Sequence, residues 1–505
     1  MQPEPGSESE LELFATLQQR LSPMFERLLP DSRLPRTVVV VPSLSMDAEM
    51  IASVKGVQHY EERLLCMLLL LGLPRTRIIY VTSAQVDPVI VDYYLHLLPG
   101  VPHDHAKQRL TMISCHDASP EMLTRKILDR PRLLKRIKEQ ITDPDLAHMT
   151  CFHATDRERT LAVQLGIPIY GCDPALVELG SKSGSRRIFR AAEVLMPAGF
   201  EYLRDIKDVA EALSELKGAE PGLQRAVVKL EEGTSGEGNA VFSFEGCPEN
   251  GSIQRWISEQ LPERLIYEDE KLTWERFVSR FAAKGGVVEC WIEGEHKVSP
   301  SVQGRVDPLR QVELISTHDQ IMGGRSAQTF KGSTFPADIA YRKAIQDVGL
   351  RVGEILESEG ALGRYGVDFV SVPQGDDWTH YAIEINLRKG GTTHSFRILQ
   401  LLTEGKYDSE SGTFVTPQGN TRYYYATDNL TNPNYRRLVA RDLIDIGVDR
   451  GLHFRASTQT GVFFHLIGAL SEFGKLGVVC VAASHDEARQ LYDETVSVLD
   501  HEALK

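Results

Sequence analysis

The sequence predicts an α/β, Rossmann-like N-terminal domain, a larger α+β domain behind it, and a small α/β domain at the C-terminal end. Three observations lead there. β-branched runs alternate with helical segments over the first third of the chain, RTVVVVPSLS from Arg36 and TRIIYVTS from Thr76 being the clearest. From about residue 176 the texture changes to paired β runs around Gly-rich or Asp-rich turns. Finally, 505 residues, 42% of them hydrophobic and 25% charged, are too many for one core and too apolar for extended disorder.

Residues 1–34 read as a polar tail, MQPEPGSESE, and a helical stretch, ELFATLQQRLSPMFERLL. The tail has no cationic start followed by an apolar run, so a signal peptide is not expected. RTVVVV suits a strand buried on both faces. The next apolar segment, LLCMLLLLGL from Leu64, is about half the length of a bilayer span and reads as a buried helix. With TRIIYVTS following, the strand, helix, strand order calls for a right-handed parallel crossover. Weaker repeats in MISCH, MTCFHAT and GIPIYGC carry this domain over residues 35–175. Its first strand runs into VPSLSMD, so the dinucleotide fingerprint G-x-G-x-x-G is missing. Residues 176–405 form the second domain. Residues 406–505, with TRYYYATDN, GVFFHLIGAL, LGVVCVAAS and a final helical segment from His485, form the appended third.

A net charge of −14 argues against nucleic acid as a partner, because phosphate affinity comes largely from Lys and Arg. No segment predicts a membrane span. The seven cysteines are scattered and never form a CxxC pair, which points to reduced thiols in a cytoplasmic protein and to neither a disulfide framework nor a zinc site.

The strongest chemical signal is a hairpin in which VDFVSV and HYAIEIN flank the turn PQGDDWT. If Val372 opposes His380, Asp368 falls directly opposite Glu384, and period-two alternation puts Asn386 on the face of Glu384. Opposed residues have Cβ atoms roughly 4.5 to 5.5 Å apart, so two carboxylates there repel unless a cation compensates them. Three converging oxygen donors suit magnesium. A second constellation is VVKLEEGTSGEGNAVF: Glu231, Gly233, Thr234, Ser235, Gly236 and Gly238 form a loop whose bare backbone N–H groups suit phosphates, and Lys229 on the preceding strand adds a fixed positive charge. It is not a Walker loop, because the lysine precedes the glycines. A third is VVECWIEGEHKV, where Glu289, Ile292 and Glu295 are spaced to serve an adenine edge and ribose hydroxyls. Basic residues also stand near loops: Lys182, Arg325, Arg388 and Lys389. Arg388, two residues beyond Asn386, is placed to reach a substrate carboxylate or an acyl phosphate. Gly390 and Gly391 would let a substrate approach the backbone. His153, His318 and His394 read as structural.

In order and spacing, Lys182, Lys229 with its glycine-rich loop, Glu289-x-x-Ile292, Asp368 and Glu384-Ile385-Asn386 resemble the ATP-grasp superfamily over roughly residues 165–400. Residues 35–175 are similar to its usual pre-ATP-grasp domain. The segments EINLRKGGTTH and HDQIMGGRSAQTFKGSTFPA are similar to the pheganomycin-type peptide ligase group within it. The resemblance implies an ATP-dependent carboxylate-amine ligase working through an acyl phosphate, with Mg²⁺ (Mn²⁺ as an alternative) held by Asp368, Glu384 and Asn386. It implies that Lys182 and Lys229 contact the ATP phosphates under the 233–238 loop, that Glu289 and Ile292 hold adenine, and that Arg388 and Lys229 stabilise the transferred group. Small-molecule or peptide carboxylates and amines would be the substrates, and related ligases are often homodimers. Two positions depart from the pattern. His296, not Glu295, stands where the ribose-binding acid is usual, and Gly366 stands where an Arg is usual, with Arg364 or Arg388 as its substitute. A phosphotransferase on the same fold, or a non-catalytic nucleotide-binding regulator, would read similarly.

Overall fold

The computed structural model describes residues 3–44, 51, 54, 56–231, 233, 238–249, 253–324 and 328–505. The N-terminal helical stretch is two helices, Glu8–Gln18 and Leu21–Leu28, the first capped by the Ser7 side chain, which accepts from the Glu10 N–H. Strands β1 (Arg36–Val41), β2 (Thr76–Thr82), β3 (Leu110–Ser114) and β4 (Ala147–Cys151) form a parallel sheet in the order β3-β2-β1-β4. Every β1 residue after Arg36 is buried, as a strand covered on both faces requires. The apolar segment winds as a 3₁₀ helix, Val57–Gly72, and lies in the largest core. Its leucines point all round because the parallel sheet, the helix Thr393–Thr403 and the C-terminal strands share that core. Beyond β4, Thr155 and Glu158 close a capping box on the helix Asp156–Leu165.

Strands β5 (Gly199–Leu203), β6 (Arg225–Leu230), β7 (Asn239–Ser243), β8 (Leu265–Tyr267) and β9 (Gly286–Cys290) make a five-stranded sheet in the order β5-β9-β6-β7-β8. Three helices, Ile206–Ala219, Ile253–Arg264 and Trp274–Lys284, contribute Val209, Leu213, Ile257, Phe277 and Phe281 to its core.

The largest sheet begins with β10 (Pro300–Val306), β11 (Val312–Gly323), β12 (Thr329–Phe335), β13 (Gly363–Gln374) and β14 (Asp377–Asn386). A two-stranded ribbon, β15 (Lys406–Asp408) and β16 (Thr413–Val415), follows, then β17 (Tyr423–Thr431), β18 (Gly461–His465) and β19 (Lys475–Ala482). Its order is β14-β13-β10-β11-β12-β17-β19-β18. The C-terminal α/β unit therefore extends the sheet of the middle region and has no large sheet of its own. The helix His485–Glu502 packs over β17 and β19. On the other half of the sheet, the helices Lys182–Ala191 and Arg342–Ser358 bury Ile188, Phe189, Ile345 and Val352 against Tyr365, Val367 and Phe369 of β13. Among the described residues no helix is long and apolar enough to cross a membrane. All seven cysteines are free.

Candidate active site

The odd-numbered residues Tyr365, Val367 and Phe369 of β13 face the core, so Arg364, Gly366 and Asp368 share its other face. The hairpin register differs in detail from the sequence expectation. Val372 pairs with Thr379 and Ser371 with His380, one step away from the expected Val372–His380 pair. A bulge between Asp368 and Phe369 then shifts the ladder back, so that Asp368 does pair with Glu384 and Gly366 with Asn386. The turn is the tight Gly375-Asp376 pair, Gly375 taking a positive φ.

Asn386 Nδ2 donates to one oxygen of Asp368 at 2.8 Å, and Gln320 Nε2 of β11 donates to the other at 2.8 Å. Lys182 Nζ lies 3.4 Å from Glu384 Oε1. Burial, with Glu384 opposite, pushes the Asp368 carboxyl up to about 7 despite Arg388 and the two amides. Two carboxylates and an amide oxygen are hard donors that fit Mg²⁺. Among the described residues no three His, Cys, Asp or Glu side chains cluster, so further coordination positions would go to phosphate oxygens and water.

Lys182 begins the helix Lys182–Ala191, whose cap Ser181 accepts from the Gly184 N–H. The next residue, Ser183, donates through both N–H and Oγ to Glu231, each at 2.7 Å. Glu231 thus ties the end of β6 to this helix start. Lys229, Glu289 and Arg186 make a buried set: Glu289 accepts from Lys229 Nζ at 2.5 Å and from Arg186 Nη1 at 2.8 Å. Burial alone would raise the Glu289 carboxyl, but the two cations hold it below its usual range. Its side chain is therefore occupied with the two cations. Ile292 follows β9 and its carbonyl accepts from Lys297 Nζ at 3.0 Å, while Glu295 is exposed. Gly238 takes a positive φ against Leu230, whereas Ser235 and Gly236, with Thr234 and Arg325, lie outside the described residues.

A cavity of about 1280 Å³ opens between the parallel sheet and the two antiparallel sheets. That exceeds the usual small-ligand range of roughly 300 to 1,000 Å³, so more than one substrate fits. Glu231, Gly233, Glu384, Asn386, Arg388 and Lys389 are on its wall; Lys182 and Asp368 reach it through Glu384 and Asn386. Lys229, Glu289, Ile292 and Glu295 do not line it. Lys389 Nζ donates to Thr150 Oγ1 at 2.9 Å and the Cys151 carbonyl at 2.6 Å, tying this loop to the end of β4. Gly391 is packed against Phe330, whose ring would lie 2.9 Å from an added Cβ. At Gly366 an added Cβ would meet the amide end of Gln303, with Nε2 at 2.6 Å. Of the two substitutes, Arg388 is the one whose charge is coupled to Asp368 and Glu384. Gln320 and Arg186 escaped the sequence reading: each lies in a segment already singled out, HDQIMGGRSAQTFKGSTFPA and the stretch after Lys182, but its carboxylate partner lies on a distant strand that spacing does not reveal.

A family model described as IQCH-like, ATP-grasp matches residues 174–264 and 253–410, and one described as PGM1 C-terminal domain matches residues 442–495. An L-propargylglycine--L-glutamate ligase of Streptantibioticus cattleyicolor is 28% identical over 461 residues, 90% of this chain and 92% of that protein. An IQ motif-containing protein H of Danio rerio is 22% identical over 516 residues, 92% of this chain but only 48% of that protein. Among solved structures, a biotin carboxylase from Campylobacter jejuni has a TM-score of 0.56 at 13% identity, covering 94% of this chain and 96% of that one. An ADP complex of N5-carboxyaminoimidazole ribonucleotide synthetase has a TM-score of 0.52 at 13% identity, covering 93% and 98%. These two share the fold.

Proposed function

We propose that the chain is an ATP-grasp enzyme that joins a carboxylate to an amine through an acyl phosphate, releasing ADP and orthophosphate. One observation carries most of this reading: Asp368 faces Glu384 with Asn386 alongside, next to a cavity whose wall also holds Arg388. In this reading Asp368, Glu384 and Asn386 hold Mg²⁺, which when bound offsets phosphate charge. Lys182 exchanges its carboxylate partner for phosphate oxygens, while Lys229 stays paired with Glu289. Glu231 fixes Ser183 and so holds the start of the helix Lys182–Ala191, with Lys182 as its first residue, beside the same phosphates. The segment with Gly233, Ser235, Gly236 and Gly238 covers them. The segment after β9 with Ile292 and Glu295 frames adenine and ribose, and Glu289 fixes the end of that strand through Lys229 and Arg186.

A substrate carboxylate oxygen attacks the γ-phosphorus, and the bond to the ADP oxygen breaks. The amine nitrogen then attacks the acyl carbon, the carbon–oxygen bond to phosphate breaks, and the nitrogen loses its proton. Arg388, a planar fork beside both acids, steadies the transferred group as its charge shifts. Enclosure keeps water from the acyl phosphate. The ligase relative is named for two amino acids, which favours amino acids or small peptides as substrates here.

The test is simultaneous measurement of ADP and orthophosphate from purified protein with Mg-ATP across pools of amino acids, small peptides and carboxylic acids, with Glu384→Ala as control. Matched ADP and phosphate that depend on a pool and vanish in the variant support ligation. ADP without phosphate points instead to a phosphotransferase.

A further inference from the structure

The same cavity has a second charged region that the chemistry above does not use. Arg36 of β1, Arg305 of β10, Arg364 of β13 and Arg397 of the helix Thr393–Thr403 all line it. Arg305 and Arg364 are directly paired across β10 and β13, so two like charges face each other, as the two acids do further along. Arg305 is partly compensated by Glu313, and Arg397 Nη1 donates to Gln400 Oε1 at 2.9 Å. Among the described residues neither Arg364 nor Arg397 makes an ion pair, and burial, with Arg397 and Arg305 beside it, pushes Arg364 down to about 9. Buried polar atoms without partners surround them: the Nε atoms of Arg36 and Arg305, the Tyr170 hydroxyl, and His148 Nδ1.

The cavity's acids are engaged elsewhere. Asp156 pairs with Arg159, Asp173 accepts from the Ala175 N–H, Glu178 accepts from the Tyr202 hydroxyl, and Glu231 holds Ser183. A buried group of four arginines that meets one acid, Glu313 on Arg305, and keeps unmet donors is costly unless a ligand supplies a further anion. Arg364 and Asp368 lie on one face of β13, their backbones roughly 13 Å apart, and the long side chains of Arg364 and Arg388 reach into the space between them.

We propose that this arginine basin binds the second acidic group of a substrate that carries at least two carboxylates, the other lying beside Glu384 and Arg388. Each guanidinium fork matches two carboxylate oxygens, so Arg364 and Arg397 act as a clamp that sets the length of the acid accepted. The proposal rests on the ligase reading for the identity of the reacting end; the basin itself is a binding site that can be measured alone.

Calorimetric titration of the full chain with glutarate, butyrate and phenyl phosphate, without nucleotide, is the test. Glutarate is expected to bind at least about tenfold more tightly than butyrate, the size of one charge-assisted hydrogen bond. Arg364→Gln should abolish that preference while ATP affinity stays unchanged. The melting midpoint controls for folding, and Arg397→Lys, which keeps the charge but loses the fork, should weaken glutarate as well. Equal binding of glutarate and butyrate, tighter binding of phenyl phosphate, or an unaffected Arg364→Gln overturns the proposal. A glutarate preference that survives these controls without any matched ADP and phosphate release would remove the ligase reading and leave the basin. Matched release with no diacid preference would do the reverse.

Discussion

Strand β13 carries two like-charge confrontations on one face, Asp368 against Glu384 and Arg364 against Arg305, and they are resolved differently. The acids are surrounded by the protein's own donors: Gln320, Asn386 and Lys182 each reach one of them. The arginines have Glu313 at one outer end and no such cover within the cavity. By contrast, the Lys229, Glu289 and Arg186 set places opposite charges together and is complete in itself. A like-charge pair in a sheet is a cost that a ligand can remove; an opposite-charge cluster is structure. The difference predicts which substitutions should cost activity and which should cost stability.

The largest expected effect is on turnover. Glu384→Ala removes one of the opposed carboxylates and should lower ligation by at least about a thousandfold, roughly 4 kcal/mol of barrier, while leaving the circular dichroism spectrum intact. Near-normal ADP and phosphate release from the folded variant would remove the magnesium assignment. Next comes Glu289→Ala, which strands two cations in a buried site. Breaking a buried pair by removing one partner costs about 3 to 5 kcal/mol, so urea unfolding should show a loss of that order. A loss below about 1 kcal/mol would mean that Glu289 is solvated and free to serve the nucleotide instead.

How far the sequence reached follows the same division. The facing acids were legible because both lie in one hairpin, and a hairpin converts sequence spacing directly into pairing. Even so, the Val372–His380 pairing was wrong by one step, and Asp368 meets Glu384 only because a bulge sits between Asp368 and Phe369. Nothing in residue type announces that bulge, so the turn and the acids could not both be placed by counting. The parallel order of β1 and β2 was legible from apolar runs and an intervening helical segment, but the union of β17, β18 and β19 with the middle sheet was not. Long-range strand pairing leaves no local periodicity to read. The arginine basin was illegible for the same reason: Arg36, Arg305, Arg364 and Arg397 come from three strands of two sheets and one helix, separated by long stretches of chain. Arg186 and Gln320 complete their clusters from equally distant segments.

A smaller effect tests the acid pair through pH. Asp368 keeps its proton in the folded protein up to about 7, against 3.8 for the ordinary side chain. Between those values the folded state binds the proton that the unfolded state has lost, so this group lowers stability as pH rises from about 4 to 7, and the cost is complete above 7. Half of that shift, allowing for coupling to Glu384, is about 2 kcal/mol. Asp368→Asn should therefore melt higher than the parent at pH 8 without metal, with the advantage shrinking at pH 5. Added Mg²⁺ should raise the parent's midpoint at pH 8 but not the variant's. A variant that melts lower at both pH values would show the carboxylate to be stabilised by Gln320 and Asn386 alone.

The smallest effect applies the same operation to the other end of the strand. Arg364→Gln relieves the repulsion of Arg305 across β10 and β13, a cross-strand term of about 0.2 to 1 kcal/mol, so the melting midpoint should rise slightly or hold. The two variants then separate the confrontations by their ligands. Mg²⁺ should erase the advantage of Asp368→Asn and leave that of Arg364→Gln untouched, while glutarate should do the opposite, because each ligand stabilises only the pair whose charge it opposes. If Mg²⁺ or glutarate erased both advantages alike, the two ends of β13 would be one electrostatic unit and the division drawn between them would fail.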